Sequence, residues 1–278
     1  MNKYLKWIVD IVIATLIVVL LYFGNAFFGN PLSEYLITGG AENYIEENFQ
    51  DSDYFVEEVK YDFKTGNYYV QITSPTSADS KFTLYGDFFG KITFSTYDSA
   101  VTKKWNTAYR LNDEYWSTVE SIFESKDFPY NAPISFGEII FKESDTEAGD
   151  DIPDYAIPTE DLVLDKVYDI NDIASHAGSL TVYIYDNDIS ADHLAEILLD
   201  IKEFFDEADV SFYAIDCVLE YPPPLNEDDP WKDGYTEVSD FLYKDIYEDG
   251  LIDRVLVSNK KAKDFYAEQD ELKSQTMD

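Results

Sequence analysis

Few residues of this chain could act as nucleophiles or as acid–base groups. Its 278 residues include one cysteine, Cys217, and two histidines, His176 and His193. A hydrolytic triad needs a histidine beside a nucleophile and a carboxylate, but no Gly-x-Ser-x-Gly elbow or Cys/His signature accompanies either histidine. We interpret His176 as a residue near a helix C-terminus and His193 as one in the first turn of a helix. Cys217 alternates with apolar neighbours, which favours a buried core thiol, and we predict no catalytic residue.

The densest group of potential oxygen ligands is Asp186-Asn187-Asp188, which Asp192 and His193 follow. Ca²⁺ takes about six to eight oxygen ligands, often from such loops. The spacing of an EF-hand is absent, and the stretches 226–233 and 245–253 are equally acidic. The favoured interpretation is therefore a set of solvated loops with diffuse counterions, although cation binding at 186–188 stays open. We predict no metal ligand and no cofactor.

Other local patterns have structural explanations that we prefer. The carboxylate pairs Glu46-Glu47 and Glu57-Glu58 could serve glycosidase chemistry, but neighbours on a strand point to opposite faces. The loop from Ser74 to Asp79 joins two predicted strands, and we interpret it as a hairpin connection. Pro222-Pro223-Pro224 is interpreted as a strand terminator rather than a polyproline ligand.

Composition limits the classes of protein further. The chain has 56 acidic and 20 basic residues, and its formal net charge is −36. Such a charge repels nucleic acid, so we predict no nucleic-acid partner. A single cysteine excludes an internal disulfide and a cysteine zinc site. Apolar residues make up 45% of the chain, which is enough to bury a core despite the charge.

The N-terminal segment is predicted to be a transmembrane helix. Residues 11–28 contain no charged side chain, and at about 1.5 Å per residue they would extend roughly 27 Å. Lys3 and Lys6 precede this stretch, so the positive-inside rule places the N-terminus in the cytoplasm and the rest of the chain outside. The prediction is a single-pass cell-membrane protein with an extracytoplasmic C-terminal part. A signal peptide cleaved after Ala26 is the alternative.

The predicted fold class is α+β, with the N-terminal helix followed by two small extracytoplasmic α/β domains that have antiparallel or mixed sheets. The divisions are 1–30 for the anchor, 31–146 for the first domain, 147–158 for an acidic linker and 159–278 for the second domain. In the first domain, alternating apolar residues predict a hairpin over 59–72, two further strands at 82–84 and 92–94, an amphipathic helix over 99–124 and a last strand at 139–141. The apolar residues from Leu32 to Phe49 predict a helix that leaves the membrane and is weakened or bent at Gly39-Gly40.

The second domain alternates strands with helices. A β-branched run predicts a strand over 180–185, and Ser190 is a good N-cap for a helix that ends near Ala208. Two more strands are predicted over 210–221 and 237–243, and a mostly helical segment over 249–272.

Several local motifs resemble those of the YfjL-like family of membrane-anchored proteins of Bacillus-type bacteria. They are Asn30-Pro31 after the N-terminal segment, Val59-x-Tyr61-x-Phe63-Lys64, Tyr68-Tyr69-Val70, the run from Ser74 to Phe82, Asp245-Ile246-Tyr247 and Gly250-Leu251. These motifs are turns and aromatic strand positions. The resemblance implies the membrane topology and the two-part layout, and it supplies no catalytic or binding residue.

The functional prediction follows from the layout and from the lack of a catalytic motif. We expect a non-enzymatic binding, accessory or regulatory module of the bacterial cell envelope, with an envelope protein or wall component as its partner. One alternative is a cation-binding surface protein. A less favoured alternative is a wall-directed hydrolase that uses a carboxylate pair.

Overall fold

The computed structural model describes residues 3–144, 152–224, 226, 230 and 232–276. The side chains of residues 3, 5, 18, 20–23, 25–28 and 270–276 also lie outside the description. The described helices are α1 (Lys3–Phe28), α2 (Pro31–Asn48), α3 (Trp105–Phe123), α4 (Ile170–Ala177), α5 (Ala191–Glu207) and α6 (Leu251–Thr276). The described strands are β1 (Phe55–Asp62), β2 (Asn67–Ser74), β3 (Ser77–Gly86), β4 (Ile92–Ser95), β5 (Ile134–Ile139), β6 (Phe141–Lys142), β7 (Ile157–Pro158), β8 (Gly178–Tyr185), β9 (Ala214–Glu220) and β10 (Tyr235–Leu242).

The predicted transmembrane anchor over residues 11–28 is contradicted within the described residues. Over the part of the chain that is described, no helix is both long enough and apolar enough to cross a membrane. The prediction of a single-pass topology, with a cytoplasmic N-terminus and an extracytoplasmic remainder, is therefore wrong for the described residues.

The chain divides into two compact units at a place that differs from the predicted linker. Unit 1 comprises Met1–Thr107 with Leu162–Asp165, and unit 2 comprises Ala108–Asp161 with Lys166–Asp278. The physical reason is strand pairing, because β5 belongs to the sequence of the predicted first domain but pairs with β8. Residues 147–151 of the predicted linker lie outside the described residues.

Unit 1 is an antiparallel sheet with α2 against one face. The strand order is β1-β2-β3-β4, and every neighbouring pair is antiparallel. The α2 helix starts at Pro31 because the Asn30 side chain accepts a hydrogen bond from the Ser33 amide at 2.8 Å. Ile37, Ala41 and Ile45 recur at helical spacing and are buried in the core of this unit. The sheet contributes alternate residues to the same core, namely Tyr68, Val70, Ile72, Phe82 and Leu84.

Unit 2 contains a mixed sheet in the order β10-β9-β8-β5. The β8 and β9 strands are parallel, and the connection between them includes α5, whereas the other neighbouring pairs are antiparallel. Ser190 caps α5 as predicted, by accepting from the His193 amide at 3.3 Å. One face of this sheet is apolar and includes Leu180, Val182 and Cys217, all fully buried. The opposite face of this sheet carries polar residues.

Two predicted elements differ at their ends for backbone reasons. The predicted helix over 99–124 is a short π-helical turn (Asp98–Thr102) followed by α3, and Lys104 between them has a φ of 60°. The predicted strand over 210–221 begins only at Ala214, since Asp209 adopts a φ of 55° and turns the chain out of α5. A left-handed residue interrupts both helix and strand geometry, and it leaves no signature in side-chain periodicity.

Candidate functional site

Three carboxyl groups lie on the polar face of the unit 2 sheet. Glu138 on β5 pairs with Ser179 on β8, which in turn pairs with Ala214 on β9. Asp216 lies two residues beyond Ala214, so it projects from the same face. Glu237 on β10 is opposite Val218, which is two residues beyond Asp216 and therefore also shares this face. We call Glu138, Asp216 and Glu237 the acidic face.

A β-bulge in β10 borders the acidic face. The register of β10 against β9 shifts between Val238 and Phe241, and Asp240 in this segment has a φ of 46°. The Asp216 carboxylate holds the bulge, because Oδ1 accepts from the Asp240 amide at 2.7 Å and from the Ser239 hydroxyl at 3.1 Å. The Tyr155 hydroxyl donates to Asp240 Oδ1 at 2.8 Å. A strained non-glycine residue in a bulge is typical of functional regions.

Burial changes the acidity of the acidic face. It raises the pKa of Glu138, and the nearby Asp216 carboxylate raises it further. Burial also raises the pKa of Asp216, although the Asp240 amide opposes the change by donating to it. The pKa of Glu237 is raised by burial, lowered by Lys263 and raised by Asp216. The cations close to these groups therefore do not compensate for the loss of water.

Glu237 is the least solvated of the three. Its residue exposure is 6%, and its Oε1 atom is buried with no hydrogen-bond partner. Lys263 on α6 is the neighbouring cation, and its Nζ donates to the Tyr235 carbonyl at 3.2 Å. A buried carboxyl oxygen without a donor is unfavourable unless another group supplies the missing interaction.

A cleft of about 430 Å³ opens beside the bulge, a size within the range of ligand sites. Its wall contains three aspartates, at positions 240, 245 and 253, and two basic residues. One of the two basic residues, Arg254, already makes hydrogen bonds within the protein. Its guanidinium donates to the carbonyl oxygens of residues 245, 247 and 249 at 2.6 to 2.9 Å. Lys261 is the other basic side chain of the wall.

A second cleft of unit 2, of about 320 Å³, lies where α5 ends. Its lining includes Phe205, Phe212, Asp206 and Tyr243. The Tyr243 hydroxyl donates to Asp206 Oδ1 at 2.6 Å, and burial together with this bond raises the pKa of Tyr243 to about 12. The phenol is thus a hydrogen-bond donor at neutral pH and not a base.

The loop at 186–188 is organised by its own backbone. Asp186 accepts from the Asp188 amide at 2.9 Å, and Asp188 accepts from the Ser190 amide at 3.0 Å. The bond from the Asp188 amide is the main cause of the lowered pKa of Asp186, and the pKa of Asp188 is lowered by the Ser190 hydroxyl first and by the Ser190 amide second. His193 lies near this loop, with its Nε2 atom 3.5 Å from Asp186 Oδ2. Within the described ranges, no three His, Cys, Asp or Glu side chains converge in a way that could hold a metal ion.

The other candidate residues of the sequence occupy structural positions. His176 is in the last turn of α4, and its Nδ1 atom lies 2.7 Å from the Asp172 carbonyl oxygen. Cys217 is buried in β9, where burial and Asp216 raise its pKa to about 12, so it is not a thiolate at neutral pH. β9 ends at Glu220, just before Pro222-Pro223-Pro224.

The loop from Ser74 to Asp79 connects β2 and β3, and its side chains make hydrogen bonds to other parts of unit 1. Ser74 and Thr76 donate to the two oxygens of Asp53 at 2.6 and 2.5 Å. Asp79, which is 1% exposed, accepts at Oδ2 from the Thr107 hydroxyl and the Asp165 amide, both at 2.9 Å. The pairs Glu46-Glu47 and Glu57-Glu58 are exposed on α2 and β1.

The acidic face was not among the residues that the sequence pattern singled out. Its one local signal is an acidic residue within an otherwise apolar strand, as in Ala214-Ile215-Asp216-Cys217-Val218-Leu219. Because acidic residues are frequent throughout this chain, that signal does not stand out. Glu138 shares a face with Asp216 only because β5 pairs with β8. That pairing is long-range, and the periodicity of the sequence does not reveal it.

Comparison with known proteins identifies the family. Residues 4–96 match the model of the YfjL-like N-terminal domain, and residues 114–256 match that of the YfjL-like C-terminal domain. No curated protein and no solved structure matches the chain. Together the two family models cover most of the sequence, in the order that the resemblance of its motifs predicted. The chain therefore belongs to the YfjL-like family.

Proposed function

We propose that this protein is a non-enzymatic binding module whose acidic face, on the sheet of unit 2, takes up a positively charged group of a partner. The observation that carries the proposal is Glu237, a residue that is 94% buried and whose Oε1 atom has no hydrogen-bond donor among the described residues. Glu138 and Asp216 share its face and have pKa values raised by burial. A cationic ligand would supply the missing interaction and recover part of the desolvation cost.

An organic cation suits the site better than a metal ion. In the described part of the chain no three ligating side chains converge on one point, as a metal ion requires. Tyr235 is two residues from Glu237 on β10 and so projects from the same face, where its ring centroid lies 5.1 Å from Lys263 Nζ. Carboxyls beside aromatic rings suit the ammonium or guanidinium group of a lysine or arginine side chain.

Proton release on binding distinguishes a specific cation site at the acidic face from the diffuse attraction of a cation to a negatively charged protein. Binding of a cation lowers the raised pKa of each carboxyl, so the complex releases protons at mildly acidic pH. We expect calorimetric titration of the full chain with a capped lysine–glycine peptide to give a binding heat that depends on the ionisation enthalpy of the buffer. The same peptide with acetylated lysines is expected not to bind.

A matched pair of double variants tests the location. Glu138→Gln with Asp216→Asn removes two charges from the acidic face, and Glu46→Gln with Glu47→Gln removes two from the exposed surface of α2. We expect the first pair to weaken binding at least tenfold and to abolish proton release, and the second to change the Kd by less than about twofold. Equal weakening by both pairs would reject the proposed site, and turnover of any added peptide would reject the non-enzymatic assignment.

A further inference from the structure

The outer face of the unit 1 sheet carries a row of side chains that crosses all four strands. Lys60, Tyr69, Tyr85 and Phe94 are directly opposite one another on β1, β2, β3 and β4. Residues on either side of them in β2 and β3, such as Val70 and Leu84, project to the opposite face and are buried in the core. At about 4.8 Å between strands, the row extends roughly 14 Å.

The aromatic members of this row contact one another and are accessible. The ring centroids of Tyr69 and Tyr85 are 5.0 Å apart, and those of Tyr85 and Phe94 are 5.6 Å apart. Phe94 is 60% exposed, and the two tyrosines are half-buried. The planes of neighbouring rings are inclined by 75° and 59°, so a ligand would stack on individual rings and not on one continuous platform.

Polar side chains form a second row beside the rings. A groove of about 190 Å³ lies between the rows, lined by Glu58, Lys60, Tyr69, Gln71, Thr83 and Tyr85. Lys60 Nζ is 2.6 Å from Glu58 Oε2, so the two charges of the groove offset each other. Gln71 and Thr83 are neutral donors and acceptors. The lining of the groove thus has no net charge in a chain with a net charge of −36, and Asp62, which is outside the lining, accepts a hydrogen bond from the Tyr69 hydroxyl at 2.7 Å.

We propose that this groove binds a neutral oligosaccharide. A pyranose ring offers an apolar C–H face, which stacks on aromatic rings, and a rim of hydroxyl groups, which bond to amide, hydroxyl and carboxylate side chains. The absence of net charge in the groove matches an uncharged ligand, and the charge of the whole chain opposes docking of a second copy. The length of the row accommodates a short oligosaccharide.

The position of the groove disfavours an extended peptide as the ligand. It lies over β2 and β3, which are the two central strands of the sheet. Backbone groups of these strands are used by their neighbours on both sides, so the groove offers no free strand edge for a peptide to extend. A ligand of this groove must therefore be recognised by side chains, and side chains can bind the hydroxyl groups of a sugar.

The test is a titration of the full chain with chitotetraose, cellotetraose, mannotetraose and xylotetraose, followed by ligand-observed NMR and calorimetry. We expect saturable binding of at least one sugar, weakened at least tenfold by Tyr85→Ala and by Gln71→Ala. The control is Phe89→Ala, which removes a 71% exposed ring of the β3–β4 connection and should change the Kd by less than about twofold. Gln71→Ala removes a polar side chain without altering the core, so it tests the groove even if Tyr85→Ala is destabilised.

Two outcomes would overturn this inference. One is the lack of saturable binding by all four sugars, and the other is binding that Phe89→Ala weakens as much as Tyr85→Ala does. Saturation of the same groove by an uncharged peptide, with the same dependence on Gln71, would assign it to a protein partner and would equally reject the sugar. Variants of Glu138 and Asp216 lie in unit 2 and are expected to leave sugar binding unchanged, so this result is independent of the proposed function.

Discussion

Two sets of carboxyl groups, one in each unit, are placed in opposite ways. In unit 1, Asp53 and Asp62 lie at the ends of strands, where hydroxyl groups bond to them and lower their pKa values. In unit 2, Glu138, Asp216 and Glu237 lie within strands, where burial raises their pKa values. The first arrangement favours the charged form of the carboxyl, and the second disfavours it.

The difference shows what each group of carboxyls does for its unit. The carboxylates of unit 1 tie loops together, as Asp53 does with Ser74 and Thr76. Of the unit 2 carboxyls, Asp216 holds a strained bulge, and Glu237 has an oxygen with no donor. Asp53 of unit 1 therefore stabilises the fold, whereas the acidic face retains a free-energy cost, which under the proposed function a cationic ligand would relieve.

The largest effect is expected from Asp79→Ala in unit 1. The variant removes the acceptor for the Thr107 hydroxyl and the Asp165 amide at a site that is 1% exposed. Two lost bonds to a buried carboxylate should lower the free energy of unfolding by about 3 kcal/mol. Urea denaturation followed by hydrogen exchange measures the change. Asp51→Ala, in an exposed turn, is the control, and an equal effect of both variants would contradict the structural role of Asp79.

The opposite sign is expected for Glu237→Leu in unit 2. This variant removes a buried oxygen that has no donor, and it also loses the attraction of Lys263. The first effect is the larger, so we expect a gain in unfolding free energy of about 1 kcal/mol at pH 8. The matched control is Glu203→Leu on the exposed surface of α5, which should change stability by less than about 0.5 kcal/mol. A loss of stability in Glu237→Leu would show that the carboxylate is paired in solution.

The sequence predicts most elements of both units but not which elements pack together. Alternation locates the β1–β2 hairpin, and the 3.6-residue stripe of apolar residues locates α5, because these signals are local. Gly39-Gly40 was expected to weaken or bend α2, yet the helix continues through both residues. A Cβ atom built at Gly40 would overlap the Gly90 carbonyl oxygen, whereas one at Gly39 would meet nothing within 4 Å. The glycine at position 40 thus allows a close approach of backbone, a long-range reason that the local pattern does not reveal.

The candidate site depends on long-range pairing in the same way. Glu138 and Asp216 are 78 residues apart, and they share a face only because β5 pairs with β8 and β8 with β9. The loop at 186–188 had the clearer sequence signal, since its acidic residues are consecutive. In the structure those residues bond to their own backbone, which is the ordinary behaviour of aspartate in a turn.

A smaller effect is expected from pH, with opposite signs for the acidic face of unit 2 and for Asp53 and Asp62 of unit 1. A carboxyl whose pKa is raised in the folded state contributes stability below its unfolded pKa, and this contribution is lost as the pH rises through the folded value. The acidic face should therefore make unit 2 more stable at pH 5 than at pH 8. The lowered pKa values of Asp53 and Asp62 contribute stability that is lost only as the pH falls through their folded values, below about 4.

Peptide-resolved hydrogen exchange over pH 3 to 8, corrected for the intrinsic exchange rate, measures both units in one sample. We expect protection of β9 and β10 to rise on acidification from pH 8 to pH 5, and protection of β1 and β2 to fall below pH 4. In Glu138→Gln with Asp216→Asn the rise should diminish while the fall in unit 1 persists. A common pH profile for both units would show that the two placements of carboxyl groups are equivalent.

The smallest effect is expected from two matched removals of a tyrosine hydroxyl. Tyr155 donates to Asp240 at 2.8 Å in unit 2, and Tyr69 donates to Asp62 at 2.7 Å in unit 1. Burial is the main cause of the raised pKa of Tyr155, whereas the bond to Asp62 is the main cause for Tyr69. Burial raises the pKa of the Tyr155 phenol, so Tyr155→Phe should lower the free energy of unfolding by about 1 kcal/mol, whereas Tyr69→Phe should lower it by a smaller amount. Urea denaturation of both variants at pH 7 provides the comparison. A larger loss in Tyr69→Phe would mean that the hydroxyl bonds of the unit 1 turns stabilise the fold at least as much as the one beside the acidic face, and the two sets of carboxyls would then differ only in their position along the strands.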